Sequence, residues 1–293
     1  MFTAFFTAVA SCIIAGQGWI TCFSPEQPNY AMQETTQAPI LTGDSLGVLL
    51  TAESALAWDI DTGTILYEKN STQERPIASL SKLLSVLAVR ENLAPGQEVV
   101  ISKDVLRPQR LGANIKLPVD ETTTVRELLE ASLVASANDA IVALAVATSG
   151  TEEDFVAYAN NYAPSIGVTH TVLSNATGLS GGIQHSTAQD VRRLLTLVYE
   201  DSLLGDFIAE EKGVLTTKEG HIREYDTTNK LLGTYMPILG AKTGYTVEAK
   251  ENLALITRDD AGHRIGTVIL GSDDRFQDSK ALVQWIWENY TFN

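Results

Sequence analysis

The sequence predicts an α+β fold, with one antiparallel sheet built from both ends of the chain and a block of helices between. Two observations carry this. Apolar and polar residues alternate with period two near residues 54–69 and again after residue 240. The stretch between them carries apolar residues at helical spacing, punctuated by capping residues and glycines.

Taken in order, residues 1–25 hold no charged side chain, and the first lysine or arginine is Lys69. Phe2 to Phe23 is long and apolar enough to approach a membrane span, and residues 26–50, rich in Pro, Gln, Thr and Gly, read as a linker. An export signal or anchor followed by a tether is therefore expected, with a folded domain over 51–293. The segment lacks a basic flank and a clean small-residue cleavage site, and Val9-Ala10-Ser11-Cys12 is similar to a lipoprotein acylation box. Ser54–Ile60 and Thr64–Lys69 flank Asp61-Thr62-Gly63, a hairpin signal. Leu80, Leu83, Leu84 and Leu87 follow Pro76 on a helix that ends near Pro95-Gly96. Val125, Leu128, Leu129 and Leu133 share one face of a helix from Thr124, and Asn138 to Thr148 forms another that stops at Gly150. Thr151, with Glu152, Glu153 and Asp154 at the positive end, caps the next. Ser186 and Gln189 predict a capping box for the helix carrying Val191, Leu194, Leu195 and Val198. Strands are expected at Ala241–Tyr245, Leu253–Arg258 and Arg264–Leu270, and an amphipathic helix from Asp274 to Tyr290 closes the chain.

Composition narrows the partners. The chain is 44% hydrophobic and 19% charged, ordinary for a soluble globular protein. A net charge of −15 argues against nucleic acid and against an anionic membrane surface, so the membrane is met only through the N-terminal segment. Both cysteines, Cys12 and Cys22, lie in that segment, which leaves the folded part without a disulfide framework or thiolate metal site. Four histidines without ligand spacing make zinc improbable, and no metal or organic cofactor is expected.

Three short strings carry the chemistry. Ser79-Leu80-Ser81-Lys82 puts a hydroxyl and an amine one helical turn apart near a helix N-terminus. A lysine on an apolar helix loses its proton readily and can serve as base for the serine, while the helix end offers a backbone N–H for an oxyanion. Alone, the string better suits a capping serine before a surface lysine. Ser136-Ala137-Asn138 is a polar break in the apolar stretch 131–147, where buried Ser and Asn need partners; alone it suits a buried turn. Lys242-Thr243-Gly244 is rarer and lies on a strand. Alternation there puts Lys242 and Gly244 on one face and Thr243 opposite, unless the edge is twisted or bulged. An edge glycine suits close approach of a second backbone, and an extended peptide could pair there with its carboxylate near the lysine.

In this order and in these elements the strings resemble the serine penicillin-interacting enzymes, above all the low-molecular-mass D-alanyl-D-alanine carboxypeptidases. Arg75-Pro76-Ile77-Ala78, Asn138-Asp139-Ala140, Asn175-Ala176-Thr177-Gly178-Leu179, Ser186-Thr187-Ala188 with Asp190, and Thr228-Asn229-Lys230-Leu231-Leu232 extend the resemblance from Ser54 to Tyr290. It implies a β-lactamase/transpeptidase-like fold and removal of the terminal D-alanine from peptidoglycan stem peptides ending in D-Ala-D-Ala. By resemblance Ser79 is the nucleophile, Lys82 its base and Ser136 the proton relay. Asn138 would bind the substrate amide and position Lys82. Lys242 and Thr243 would hold the terminal carboxylate, and Gly244 and Tyr245 would line the strand beside it, with the N–H groups of Ser79 and Tyr245 as oxyanion hole. β-Lactams would trap Ser79. The enzyme would be exported to the bacterial envelope and monomeric. Ala137 and Lys250 stand where these enzymes usually carry glycine, and the resemblance stops at the closing helix, so no further C-terminal domain or anchor is expected.

Other readings are weaker matches. DD-endopeptidase and β-lactamase activities share the fold, though no Glu-x-x-Leu-Asn segment stands where one lactamase class keeps its deacylating acid. Gly43-Asp44-Ser45-Leu46-Gly47 with Asp260 and His263 mimics a GDSL esterase, but a linker precedes Ser45 where an elbow needs a buried strand. An inactive cell-wall binding module is opposed by intact Ser79, Lys82 and Lys242.

Overall fold

The computed structural model describes residues 12–15, 19–22, 37–43, 47–234 and 236–292. They divide into two units, 1–36 and 37–293. In the first, β1 (Cys12–Ala15) and β2 (Trp19–Cys22) pair antiparallel, Ile14 opposite Ile20. Among the described residues no helix is long and apolar enough to cross a membrane. The rest of the apolar segment expected over 1–25, most of the linker and Ser45 lie outside the described residues.

The second unit begins ahead of position 51. β3 (Ile40–Leu41) pairs with β13 (Tyr290–Thr291), and the Thr42 N–H donates to the Asn289 carbonyl at 2.8 Å, so part of the expected linker packs on the end of the closing helix.

The central sheet has five antiparallel strands. β4 (Ser54–Asp59) and β5 (Ile65–Lys69) come from the first part of the domain, and β10 (Ile238–Thr246), β11 (Lys250–Arg258) and β12 (Arg264–Ser272) from the last. Their spatial order is β10-β11-β12-β4-β5, so the two contributions meet where β12 pairs with β4 and β10 forms one edge. The hairpin at Asp61-Thr62-Gly63 turns as expected: the Asp59 carboxylate accepts from the Thr62 N–H at 2.7 Å, and Gly63 takes a φ of 72°. Alternate side chains bury on opposite faces. Ala55, Ala57, Leu253, Leu255, Ile265 and Ile269 meet Leu282, Val283 and Ile286 of the closing helix, whereas Leu56, Trp58, Ala254, Ile256, Val268 and Leu270 face the helical block.

That block holds α1 (Lys82–Asn92), α2 (Val125–Leu133), α3 (Asn138–Ser149), α4 (Glu152–Tyr162), α5 (Ala188–Glu200) and the single turn α6 (Leu204–Phe207); α7 (Arg275–Asn289) closes the chain. Thr124 and Glu127 form a reciprocal capping box on α2, Thr151 caps α4 and Asp274 caps α7, each worth about 1 kcal/mol. α1 and α3 are buried along most of their length, because α1 runs through the middle of the block among α2, α3, α4 and α5, and α5 packs on the sheet. The expected cap of α5 shifts by one residue: the Thr187 hydroxyl accepts from the Asp190 N–H, while Ser186 is held extended by its bridge to Arg75 and bonds the Thr171 hydroxyl at 2.8 Å. Two ribbons carried no sequence signal, β6 (Glu98–Val100) with β7 (Thr122–Thr124) and β8 (Lys212–Thr216) with β9 (Ile222–Asp226).

Candidate active site

Ser79 lies one turn earlier than a helical reading implies, on a 3-10 turn (Ala78–Ser81) that precedes α1. Ala78, directly before it, takes a φ of 48°, a strained conformation for a residue with a side chain. Lys82 opens α1 and is fully buried. Its Nζ lies 3.0 Å from Ser79 Oγ, 2.8 Å from Asn138 Oδ1 and 2.7 Å from the Thr177 carbonyl. Burial, and then the charge of Lys242, push the Lys82 pKa well below the ordinary lysine value, against a smaller opposing pull from Asp139. A neutral amine keeps two N–H groups and one lone pair. Asn138 Oδ1 and the Thr177 carbonyl only accept, so both N–H groups go to them and the lone pair faces Ser79. The orientation of the Asn138 amide is fixed independently, because Nδ2 donates to the Leu111 carbonyl at 2.7 Å.

The turn between α2 and α3 supplies the second string. Asn138 is the first residue of α3, and Asp139 beside it accepts from the N–H groups of Ile115 at 3.2 Å and Leu117 at 3.0 Å, which lays residues 111–117 along the site. Ser136 has a φ of 57°, and its Oγ is buried without a hydrogen-bond partner among the described residues. An unpaired buried hydroxyl is costly, and a group arriving in the site could satisfy it. Ala137 has φ −61° and ψ 117°, ordinary values for an alanine, so the absence of glycine there brings no strain.

The third string lies on the sheet edge. Lys242 is buried, its Nζ donates to the Thr243 carbonyl at 3.4 Å, and burial together with the charge of Arg275 brings its pKa down to about 7. The Thr243 and Thr228 hydroxyls are 2.6 Å apart. A side chain at Gly244 would come within 2.7 Å of the Ile77 carbonyl and 3.1 Å of the Ser79 N, so only glycine lets β10 lie against the nucleophile turn. Tyr245 is exposed at the rim. All eight residues singled out from the sequence thus fall on two neighbouring segments and the α2–α3 turn. The register of β10 with β11 is unbroken from Gly240 to Thr246.

Several contributors gave no signal as site residues. Arg275 donates to the Gly244 carbonyl at 2.9 Å and acts on Lys242 through space, but at sequence level it is only the start of a helix. Thr177 acts through its carbonyl, which no residue type announces. Gly178 has a φ of 81°, and a side chain there would come within 2.1 Å of the Ala78 carbonyl. Gly178→Ala should therefore cost about 2–5 kcal/mol of stability, adding left-handed strain to overpacking. Gly220, also left-handed at φ 93° but in open space, serves as control. Denaturant melts should show Gly178→Ala losing clearly more than Gly220→Ala, and equal losses would refute the clash.

Lys250, where glycine is usual by resemblance, takes a φ of 55°. Its ammonium pairs with Glu53 at 3.0 Å and Asp273 at 3.3 Å, and Glu53 also pairs with Arg75. The charge is thus held among carboxylates. In the esterase mimic, His263 bonds Asp259 at 2.8 Å rather than Asp260 and stacks on Phe292, within the turn between β11 and β12.

A serine, a lysine whose lone pair faces it, and a glycine strand edge alongside define a class of serine acyl-transfer site. The chain belongs to the D-alanyl-D-alanine carboxypeptidase family, peptidase S11, which matches residues 36–274. It is 35% identical over 210 residues to D-alanyl-D-alanine carboxypeptidase DacF of Bacillus subtilis (strain 168), covering 68% of this chain and 52% of that protein. It is 30% identical over 244 residues to a D-alanyl-D-alanine endopeptidase of Pseudomonas aeruginosa, covering 81% of this chain and 77% of the relative. The chain therefore spans about half the length of the Bacillus protein. Among solved structures it is similar to a point mutant of the Streptomyces K15 DD-transpeptidase, with a TM-score of 0.76 at 25% identity over 83% of this chain and 100% of that one. The fold is the penicillin-binding, DD-transpeptidase type that the sequence leads one to expect.

Proposed function

We propose that this chain is a serine DD-carboxypeptidase that removes the terminal D-alanine from peptidoglycan stem peptides. The observation that carries the reading is the Lys82 amine, whose two other partners are both acceptors and which therefore turns its lone pair to Ser79 Oγ at 3.0 Å. Ser79 Oγ attacks the carbonyl between the two D-alanines as its proton passes to Lys82. The oxyanion is met by the backbone N–H groups of Ser79 and Tyr245, an effect worth about 3 kcal/mol of barrier. Lys242 and Thr243 hold the terminal carboxylate, and Asn138 takes the substrate amide on the opposite side. Ser136 passes a proton to the leaving amine, D-alanine departs, and water releases the acyl group. β-Lactams acylate the same serine. The enzyme works as a monomer, exported to the bacterial envelope by its N-terminal segment.

The test is turnover of diacetyl-L-Lys-D-Ala-D-Ala. The expected result is steady release of D-alanine together with one equivalent of bound penicillin. Rapid turnover of penicillin without D-alanine release would make the chain a β-lactamase. The similarity to an endopeptidase supports a second reading, cleavage of cross-linked peptides, and hydrolysis of a D-Ala cross-link without attack on the linear tripeptide would establish it instead.

A further inference from the structure

Thr228 stands in none of the three strings, yet it touches the third and the segment that leads into the second. Its N–H donates to the Val134 carbonyl at 3.3 Å, two residues before Ser136, and its Oγ1 lies 2.6 Å from that of Thr243. The turn that carries it is closed on itself. The Thr227 N–H donates to the Glu211 carbonyl at 2.8 Å, the Thr227 hydroxyl accepts from the Asn229 N–H at 3.2 Å, and Asn229 Oδ1 accepts from the Leu231 N–H at 3.0 Å. These bonds fix the backbone that carries Thr228, and the contact with Thr243 places its hydroxyl.

A proton count gives the contact a direction. Each hydroxyl carries one proton and can accept. The bond between them consumes one proton, and neither hydroxyl has another partner among the described residues, so the pair keeps one spare O–H. If Thr243 donated, the spare proton would sit on Thr228. If Thr228 donates, it sits on Thr243, the neighbour of Lys242. An anion drawn in by Lys242 selects the second state, because Thr243 then accepts from one side and donates to the other, and bonds aligned in this way strengthen one another.

We propose that Thr228 is a positioning residue for the ligand carboxylate, setting the Thr243 hydroxyl as a donor toward it and tying the Lys242 strand to the Ser136 turn. The inference rests on the proposed reading in one respect, that the ligand's carboxylate binds at Lys242 and Thr243. It assigns part of the preference for a free carboxylate to a residue outside the three strings.

The test compares acylation of the full chain by benzylpenicillin and by its methyl ester, which lacks the carboxylate, in wild type and in Thr228→Val, Thr228→Ala and Thr228→Ser. Thr228→Val and Thr228→Ala should slow the free acid roughly tenfold, equivalent to about 1.4 kcal/mol, while the ester's slower reaction changes by less than about twofold, since the loss of one neutral hydrogen bond touches only the acid. Thr228→Ser should restore the acid rate. The KM for the D-Ala-D-Ala tripeptide should rise in the same two variants with little change in kcat. Equal slowing of acid and ester would mean a merely structural role and overturn the proposal, as would no change in either. A wild type that labels with penicillin but releases no D-alanine would end the carboxypeptidase reading and leave the Thr228 comparison readable on penicillin. A wild type that reacts with acid and ester equally fast would overturn the Thr228 proposal by itself.

Discussion

Ser79→Ala should abolish covalent labelling by penicillin and reduce D-alanine release to background while the protein stays folded. The hydroxyl is only half-buried and reaches Lys82 Nζ at 3.0 Å and the Thr177 carbonyl at 3.5 Å. Losing it costs about 1 kcal/mol, the ordinary contribution of one hydrogen bond. Lys82 keeps Asn138 Oδ1 and the Thr177 carbonyl, so its position survives. What disappears is the atom that forms the acyl bond. The check is a labelled β-lactam followed by mass spectrometry of the intact chain and its peptides, beside a melting curve. An adduct that persists in the variant, on Ser136 or elsewhere, would sink the assignment of the nucleophile.

Lys82→Met should lower the acylation rate by about 10²- to 10⁴-fold, the range a positioned general base contributes, and it should also change the shape of the pH profile. In the wild type Lys82 must be neutral to take the proton from Ser79, so acylation rises with pH as Lys82 deprotonates, well below the ordinary lysine range. Lys242 must be charged to hold a carboxylate, and it loses its proton at about 7, so the rate falls again above that value unless the bound anion retains the proton. Repulsion between the two ammonium groups is mutual, so loss of one proton helps the other lysine keep its charge, and the productive state is the one with Lys82 neutral and Lys242 charged. The expected profile is a bell. In Lys82→Met the acid limb should vanish and the alkaline limb should remain. Rates of penicillin acylation between about pH 5 and 9, a span that brackets the Lys242 value, decide it, and an acid limb that survives the substitution would remove Lys82 from the role of base.

The strands β4, β5 and β10 to β12 were readable in the sequence because each is long enough to alternate, and their two-sided burial shows why the alternation was imperfect: both faces are covered. The ribbons β6–β7 and β8–β9 were not readable. Strands of three to five residues carry too little pattern. The cap of α5 was misplaced by one residue because Ser186 and Thr187 are both good caps, and the choice between them is made by a distant partner, the bridge to Arg75. The same holds at the site. Side chains with distinctive chemistry, Ser79, Lys82 and Lys242, could be named in advance. The Thr177 carbonyl, the left-handed Ala78 and the contact of Arg275 with the Gly244 carbonyl exist only once remote segments meet. Strand alternation correctly paired Lys242 with Gly244, but it could not say that Thr243 would find Thr228.

Because β4 pairs with β12, with Ala55 opposite Ile269, the sheet cannot close until more than two hundred residues have been made after its first strand. Ser79 and Lys82 leave the ribosome early, whereas β10, which must lie against them, comes late. Bringing such distant segments together is slow, since the entropy of closing the intervening loop is lost before the pairing offsets it. A partly synthesised chain therefore carries the nucleophile without the strand that would present a peptide to it. On the proposed reading, the site is complete only once its own sheet is.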